Sequence, residues 1–220
     1  MPPAPRPLLL LTRPEAESRR VAARIGAEAI IAPVLRIVPV AHDGAALQRA
    51  PGLVFTSAQA VGAAGPGRGR PAICVGERTA EAACQAGFAV TVGQGTADSL
   101  APLIAASGVP LIHPHGRHLA QRLPVPGMVV YDQQPLALTP LARAALMGGR
   151  ALVVPVYSPR SSRLLSVMAQ GARAPIRLVA ISDRADAAWT APADRRVVAD
   201  APSGQAMDAA IRRMLAAEQS

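Results

Sequence analysis

The residues of this chain best suited to chemistry are hydroxyls and arginines placed where short apolar runs give way to helical patterns. Thr12-Arg13-Pro14-Glu15 follows the run Leu8–Leu11 and has the form of a capping box. Thr56-Ser57 precede a stretch of small residues from Ala58, and Thr79 opens a helical pattern after Val75-Gly76. Ser158 stands before Pro159, the order of an N-cap followed by proline at the first helical position. A helix start carries unpaired N–H groups and a partial positive charge. Each such end is worth about 0.3–1 kcal/mol to a nearby anion. Arg13 and Arg160 add guanidinium forks that match carboxylate geometry. Together these groups suit a ligand bearing many carboxylates. Singly, each hydroxyl reads first as an ordinary cap worth about 1 kcal/mol to the fold.

Other constellations are less specific. His113, His115 and His118 in IHPHGRH have spacing open to a metal, yet no cysteine or carboxylate lies near them in sequence, and Pro114 reads as the stiffener of a turn. Gly65–Arg70 looks superficially like a phosphate loop. It lacks the Lys and Ser/Thr of that motif and precedes a strand rather than a helix, so it reads as a solvent loop. Val75–Gly87 is not a dinucleotide fingerprint, and spacing nominates no Ser–His–Asp set.

Composition narrows the partners. All 23 basic residues are Arg, so Schiff-base chemistry on a lysine is excluded. The formal net charge of +9 suits a polyanionic partner. Aromatic residues make up 2% of the chain, which argues against base stacking, and no nucleic-acid-reading motif is present. Cys74 and Cys84 are too few for a disulfide framework or a zinc site. With no signal-peptide pattern and no apolar run long enough to span a bilayer, a cytoplasmic location is expected, with no membrane and no specific nucleic acid as partner.

The elements that must position these groups follow from the apolar pattern. Short apolar runs at Leu8–Leu11, Ala29–Pro33, Leu53–Phe55, Ala72–Val75, Val90–Val92, Leu111–Ile112 and Met128–Tyr131 read as strands. Pro14–Gly26, the stretch from Ala58, Thr79–Ala86, Asp98–Ala106 and a segment near Leu119 read as helices, and Leu35–Val40 as a short extended piece. Such alternation predicts parallel sheets with right-handed crossovers. The second half echoes the first at an offset near 100 residues. Gly52–Ala64 resembles Ala151–Leu165, Ala72–Ala83 resembles Leu178–Trp189, and Thr91–Ile104 resembles Val197–Ile211. Ser57 thereby matches Ser158, and Gly76 matches Ser182. Two similar α/β domains are expected, with ligands beyond the carboxyl ends of the strands and the equivalent junctions facing one cleft.

At these residues the chain resembles the uroporphyrinogen-III synthase family over nearly its whole length. Leu8–Val40 resembles the family's opening of strand, TRP turn, helix, strand and hydrophobic linker. GLVFTSAQAV (Gly52–Val61), AICVGERTAEAACQAGF (Ala72–Phe88), GMVVYDQQP (Gly127–Pro135) and VYSPRSSRLL (Val156–Leu165) resemble four further segments in the family's order and spacing. The resemblance implies two similar interleaved three-layer α/β/α domains with parallel sheets, joined by a two-stranded hinge. One would comprise residues 1–36 with 138–220 and the other residues 40–133, with crossings at 35–40 and 133–138.

The resemblance also implies cyclisation of hydroxymethylbilane, a linear tetrapyrrole polycarboxylate, with inversion of ring D and loss of water, by a monomer needing no metal or organic cofactor. Tyr131 matches the family's tyrosine, a group that assists the departing hydroxyl. Thr12, Arg13, Ser57, Gly76, Thr79, Ser158, Arg160 and Ser182 would bind the substrate's carboxylates. Two stretches depart from the pattern. Arg184-Ala185 stand where many relatives carry hydroxyls, and His115-Gly116-Arg117 where relatives more often carry Arg-Gly. A non-catalytic two-domain module that binds polyanions is the alternative reading, and the changed Arg184-Ala185 turn leaves room for a family member without turnover.

Overall fold

Leu8–Leu11 is apolar throughout because both faces of that strand are covered. Leu8 and Leu10 enter one buried cluster, Leu9 and Leu11 another. The computed structural model describes residues 5–119 and 121–216. In chain order the first elements are β1 (Leu8–Leu11), α1 (Glu15–Ile25), β2 (Ala29–Ile31), β3 (Leu35–Pro39), α2 (Gly44–Arg49) and β4 (Gly52–Phe55). A 3-10 helix (Ala58–Ala64), β5 (Pro71–Cys74), α3 (Glu77–Gln85) and β6 (Ala89–Val92) follow. A 3-10 turn (Asp98–Leu100) runs into α4 (Ala101–Ala105), then come β7 (Leu111–Gly116), β8 (Gly127–Pro135) and α5 (Pro140–Met147). The chain closes with β9 (Leu152–Val156), α6 (Pro159–Met168), β10 (Ile176–Ala180), α7 (Asp183–Ala187), β11 (Arg195–Val198) and α8 (Gly204–Ala216).

These elements form two compact units. The first combines the segment up to Arg36 with the segment from Pro135 onward. Its five strands pair in parallel in the order β11-β10-β9-β1-β2. Val154, Val156, Leu178 and Ala180 face Leu165, Leu146 and Trp189, while Val153 and Val179 face Val21, Met207 and Ile211. Helices α5, α6 and α7 therefore cover one face and α1 and α8 the other, giving three layers.

The second unit is Ile37–Gln134. The six-stranded sheet has the order β3-β8-β7-β4-β5-β6, and β4 to β8 run parallel. Leu53, Phe55 and Cys74 pack with Ala60, Ala80 and Phe88 on one face, and Val54 and Ile73 with Leu100 and Leu111 on the other. The bonds from Leu136 N–H to Val34 O and from Val40 N–H to Val130 O run the segments around β3 and β8 in opposite directions. The three ordered sequence echoes fall on equivalent strands: β4, β5 and β6 in one sheet occupy the places of β9, β10 and β11 in the other.

Three readings are corrected. No helix forms around Leu119 among the described residues, because β7 extends to Gly116 and Pro124 and Pro126 lie just before β8. Pro114 is not in a turn but inside β7. The N–H of His113 bonds Pro126 O on the β8 side, and alternation puts the missing N–H of Pro114 on the β4 side, where the pairing has already ended at Ile112. The Gly65–Arg70 stretch is not a free solvent loop. Gly67 is buried against Gly87–Phe88, where a Cβ would lie 2.3 Å from backbone atoms, and Arg70 turns inward.

Candidate functional site

In each sheet the chain reverses its direction of strand addition at one place. In the first unit this is between β1 and β9, in the second between β7 and β4. Open parallel sheets bind ligands at the carboxyl ends of the strands beside such a reversal. Both places are bridged by side chains that sequence reading did not pair.

In the first unit the bridge is Arg13 over Tyr157, with the guanidinium carbon 4.2 Å from the ring centroid. Glu17 holds the same guanidinium at 2.6 Å, one turn into α1. The Tyr157 hydroxyl is buried, and burial pushes its acidity below that of a free phenol, an effect that the nearby Arg13 opposes. Ser158 follows directly. It caps α6 by accepting from Ser161 N–H at 3.1 Å, with Pro159 in the first turn as expected. Its oxygen accepts that bond and also lies 2.9 Å from Ser161 Oγ. Arg160 is half-buried in the first turn of α6.

On the neighbouring strand Ser182 caps α7 by accepting from Ala185 N–H at 3.4 Å. The Arg184-Ala185 departure now has a physical reading. Ala185 is fully buried, whereas Ser182 is half-buried and Asp183 and Arg184 are exposed. Thr12 does not cap α1. The cap position is Pro14, with no side-chain bond, and Glu15 pairs with Arg19 instead of reaching back. Thr12 remains on the strand side, buried, its carbonyl accepting from Val34 N–H.

In the second unit the bridge is a 2.9 Å hydrogen bond between Thr56 Oγ1 and His113 Nε2. His113 is 2% exposed, and burial, with His115 beside it, pushes its pKa down to about 4. The rings of His113 and His115 lie 4.9 Å apart, and His115 Nδ1 is 2.8 Å from Gly116 O. His118 lies 3.6 Å from Asp132 instead, so the three histidines do not converge. Among the described residues no group of three His, Cys, Asp or Glu side chains could hold a metal ion.

Ser57 caps the Ala58–Ala64 helix by accepting from Gln59 N–H at 3.3 Å. Gly76 occupies the cap position of α3 in an extended conformation, and its carbonyl accepts from Thr79 and Ala80 N–H. Thr79 therefore does not open α3, as expected from sequence, but lies buried in its first turn. Tyr131 lies in β8, 7% exposed, with its ring against Gly116. The expected residues thus divide into two sets. Thr12, Arg13, Ser158, Arg160 and Ser182 gather at the carboxyl edge of β1, β9 and β10, and Ser57, Gly76, Thr79 and Tyr131 belong to the second unit.

Tyr157 was missed, and His113 was weighed only as a metal ligand and not as a partner of Thr56. The offset that aligns Ser57 with Ser158 also aligns Thr56 with Tyr157. His113 and His115, two apart, share one face of a strand once Pro114 is read as part of it.

The family model described as uroporphyrinogen-III synthase HemD matches residues 17–208. No curated protein matches the chain. Among solved structures, the fold is similar to a uroporphyrinogen-III synthetase from Helicobacter pylori, at 13% identity and TM-score 0.59, over 92% of this chain and 96% of that one. It is also similar to a mutant uroporphyrinogen III synthase from Thermus thermophilus, at 17% identity and TM-score 0.50, over 95% and 98% of the two chains. With a family match across most of its length, on two parallel α/β units of this topology, the chain belongs to the uroporphyrinogen-III synthase family.

Proposed function

We propose that the chain closes hydroxymethylbilane into uroporphyrinogen III by a spiro route in which Tyr131 assists departure of the terminal hydroxyl. The enzyme is a cyclising lyase of tetrapyrrole synthesis. Loss of water from the hydroxymethyl group leaves a cationic azafulvene. The substituted carbon of ring D attacks it, a spiro intermediate forms, and fragmentation followed by reclosure leaves ring D inverted. The substrate makes its own electrophile, so the protein's work is to hold one conformation and to exclude direct closure, which gives the type I ring.

The observation that carries this reading is the placement of Tyr131. A phenol on β8, the strand next to the sheet edge, is held against Gly116, with Arg117 N–H bonded to its carbonyl. Such a group can donate a hydrogen bond to a leaving oxygen. The carboxylates of the substrate are assigned to the hydroxyls of Ser57, Ser158 and Ser182, to Arg13 and Arg160, and to the N–H groups that begin α3 beyond Gly76. Ser57 and Ser182 accept from backbone N–H groups and keep their own O–H for donation, which supports this assignment. The Ser158 O–H instead lies toward Ser161 Oγ, whose own proton goes to Ser158 O, and must turn from it to meet a carboxylate. Thr12 and Thr79 are buried, so their part is support of the strand ends rather than reach.

The test is Tyr131→Phe. The reading expects kcat to fall by roughly 10- to 1,000-fold without vanishing. An unchanged steady-state rate removes Tyr131 from the mechanism.

A further inference from the structure

The ladder between β7 and β8 is regular from His113, opposite Gly127, to His115, opposite Val129, and then slips. The next pair is Gly116 with Tyr131, so Val130 is the extra residue of a bulge. A bulge re-aims the side chain that follows it. Here it sets the Tyr131 ring on Gly116. A Cβ at residue 116 would lie 2.5 Å from Cε2, 2.6 Å from Cζ and 2.9 Å from Oη of Tyr131. No side chain, not even a methyl, fits between that strand and the ring in this position. The φ of Gly116 is not left-handed, so glycine is needed here for space and not for backbone conformation.

The flanking residues hold the same place. Arg117 N–H donates to Tyr131 O at 2.9 Å, and Arg117 Nε donates to Asp132 Oδ2 at 3.2 Å. Asp132 Oδ1 accepts from Gln133 N–H at 2.8 Å. With Val40 N–H bonded to Val130 O, the peptides on both sides of Tyr131 are tied, and the ring is seated on the only residue type that admits it in this position.

We infer that Gly116, with the Arg117–Asp132 pair, is a positioning device for the Tyr131 phenol, setting its orientation toward the leaving oxygen. This rests on the reading of Tyr131 given above. Gly116 and Arg117 touch no reacting atom. They act through the tyrosine, so their effect must depend on its hydroxyl.

The experiment is a kinetic double-mutant cycle with hydroxymethylbilane, using Gly116→Ala, Tyr131→Phe and the double variant. Misplacement by about an ångström costs on the order of 100-fold. Gly116→Ala is expected to lower kcat by roughly 10- to 100-fold with KM within about threefold. In the Tyr131→Phe background the same change is expected to alter kcat by less than about twofold, because no hydroxyl remains to misplace. Equal losses in both backgrounds overturn the inference, since they show a general defect. A fully active Gly116→Ala beside an impaired Tyr131→Phe overturns the inference alone and leaves the tyrosine's role standing. A fully active Tyr131→Phe removes that role and the inference with it. Should Gly116→Ala not accumulate as folded protein, Arg117→Ala replaces it, because the Arg117 side chain is 58% exposed and its truncation leaves no buried void. A loss of roughly 3- to 10-fold confined to the Tyr131 enzyme supports the inference, and an equal loss in both backgrounds, or none, overturns it.

Discussion

Thr56 and His113 meet across the β4–β7 boundary through a hydrogen bond of 2.9 Å, inside a pocket where the imidazole is nearly sealed from solvent. A charged imidazole there loses hydration and faces His115, so the neutral form is the one that fits. Folding lowers its pKa from 6.5 to about 4. Between those values the unfolded chain binds more proton than the folded one, so stability rises with pH across that window and falls as the solution is acidified. The difference between pH 7 and pH 4 is on the order of 3 kcal/mol. Urea unfolding of the natural chain and of His113→Gln, followed from pH 4 to 7, checks this. The variant is expected to show the shallower pH dependence, and parallel curves would contradict the assignment.

Ser158 is predicted to have two separable effects. Ser158→Ala removes the α6 cap and is expected to cost about 1 kcal/mol of unfolding free energy. If its O–H also donates to a substrate carboxylate, KM for hydroxymethylbilane rises severalfold while kcat stays within about twofold. Ser158→Thr keeps both the acceptor and the donor and is expected to restore KM. An alanine variant with unchanged KM would reduce Ser158 to a cap.

Arg70 shows how a positive residue is spent on the fold. Its guanidinium donates to the carbonyls of Gly67, Leu47, Ala50, Ala64 and Pro66, and lies over the Phe88 ring. Leu47 and Ala50 belong to the end of α2, and Ala64 ends the 3-10 helix, where unpaired carbonyls collect negative potential. Arg70→Gln is expected to lower stability by about 2 kcal/mol in a thermal or chemical melt. Arg70→Lys is expected to recover little, because a point charge cannot reach five acceptors as a planar fork does. Wild-type stability in Arg70→Gln would contradict this role.

The two thiols should differ in reactivity. Cys84 is exposed, while Cys74 is fully buried, with its pKa pushed up to about 12 by burial and by Cys84. A disulfide-forming reagent at pH 8 is expected to titrate one thiol in the folded chain and the second only after denaturation. Rapid labelling of both in the native state would contradict the packing of β5 against α3.

Much of the fold was legible because its physical signals are local. Leu8–Leu11, Leu53–Phe55 and the 100-residue echo mark buried parallel strands that need no tertiary information to be seen. The caps at Ser57 and Ser158 were legible for the same reason. Thr12 and Thr79 were misread because helix starts are set by backbone bonds that sequence does not display. Val34 N–H keeps Thr12 on the strand, and Gly76 O draws α3 to begin two residues before Thr79. Contacts between distant segments were out of reach. Arg13 with Tyr157, Thr56 with His113, and Gly116 with Tyr131 each bring together strands that only the completed sheet makes neighbours or faces.

Ring inversion is tested most directly by the isomer composition formed from hydroxymethylbilane. The chain is added at increasing concentration, and the type III and type I rings are resolved after oxidation to porphyrins. The type III share is expected to rise with enzyme until it dominates, and Tyr131→Phe at equal concentration is expected to slow this rise without changing which isomer the enzyme makes. A type I product at every enzyme concentration, with hydroxymethylbilane bound but not inverted, would contradict it.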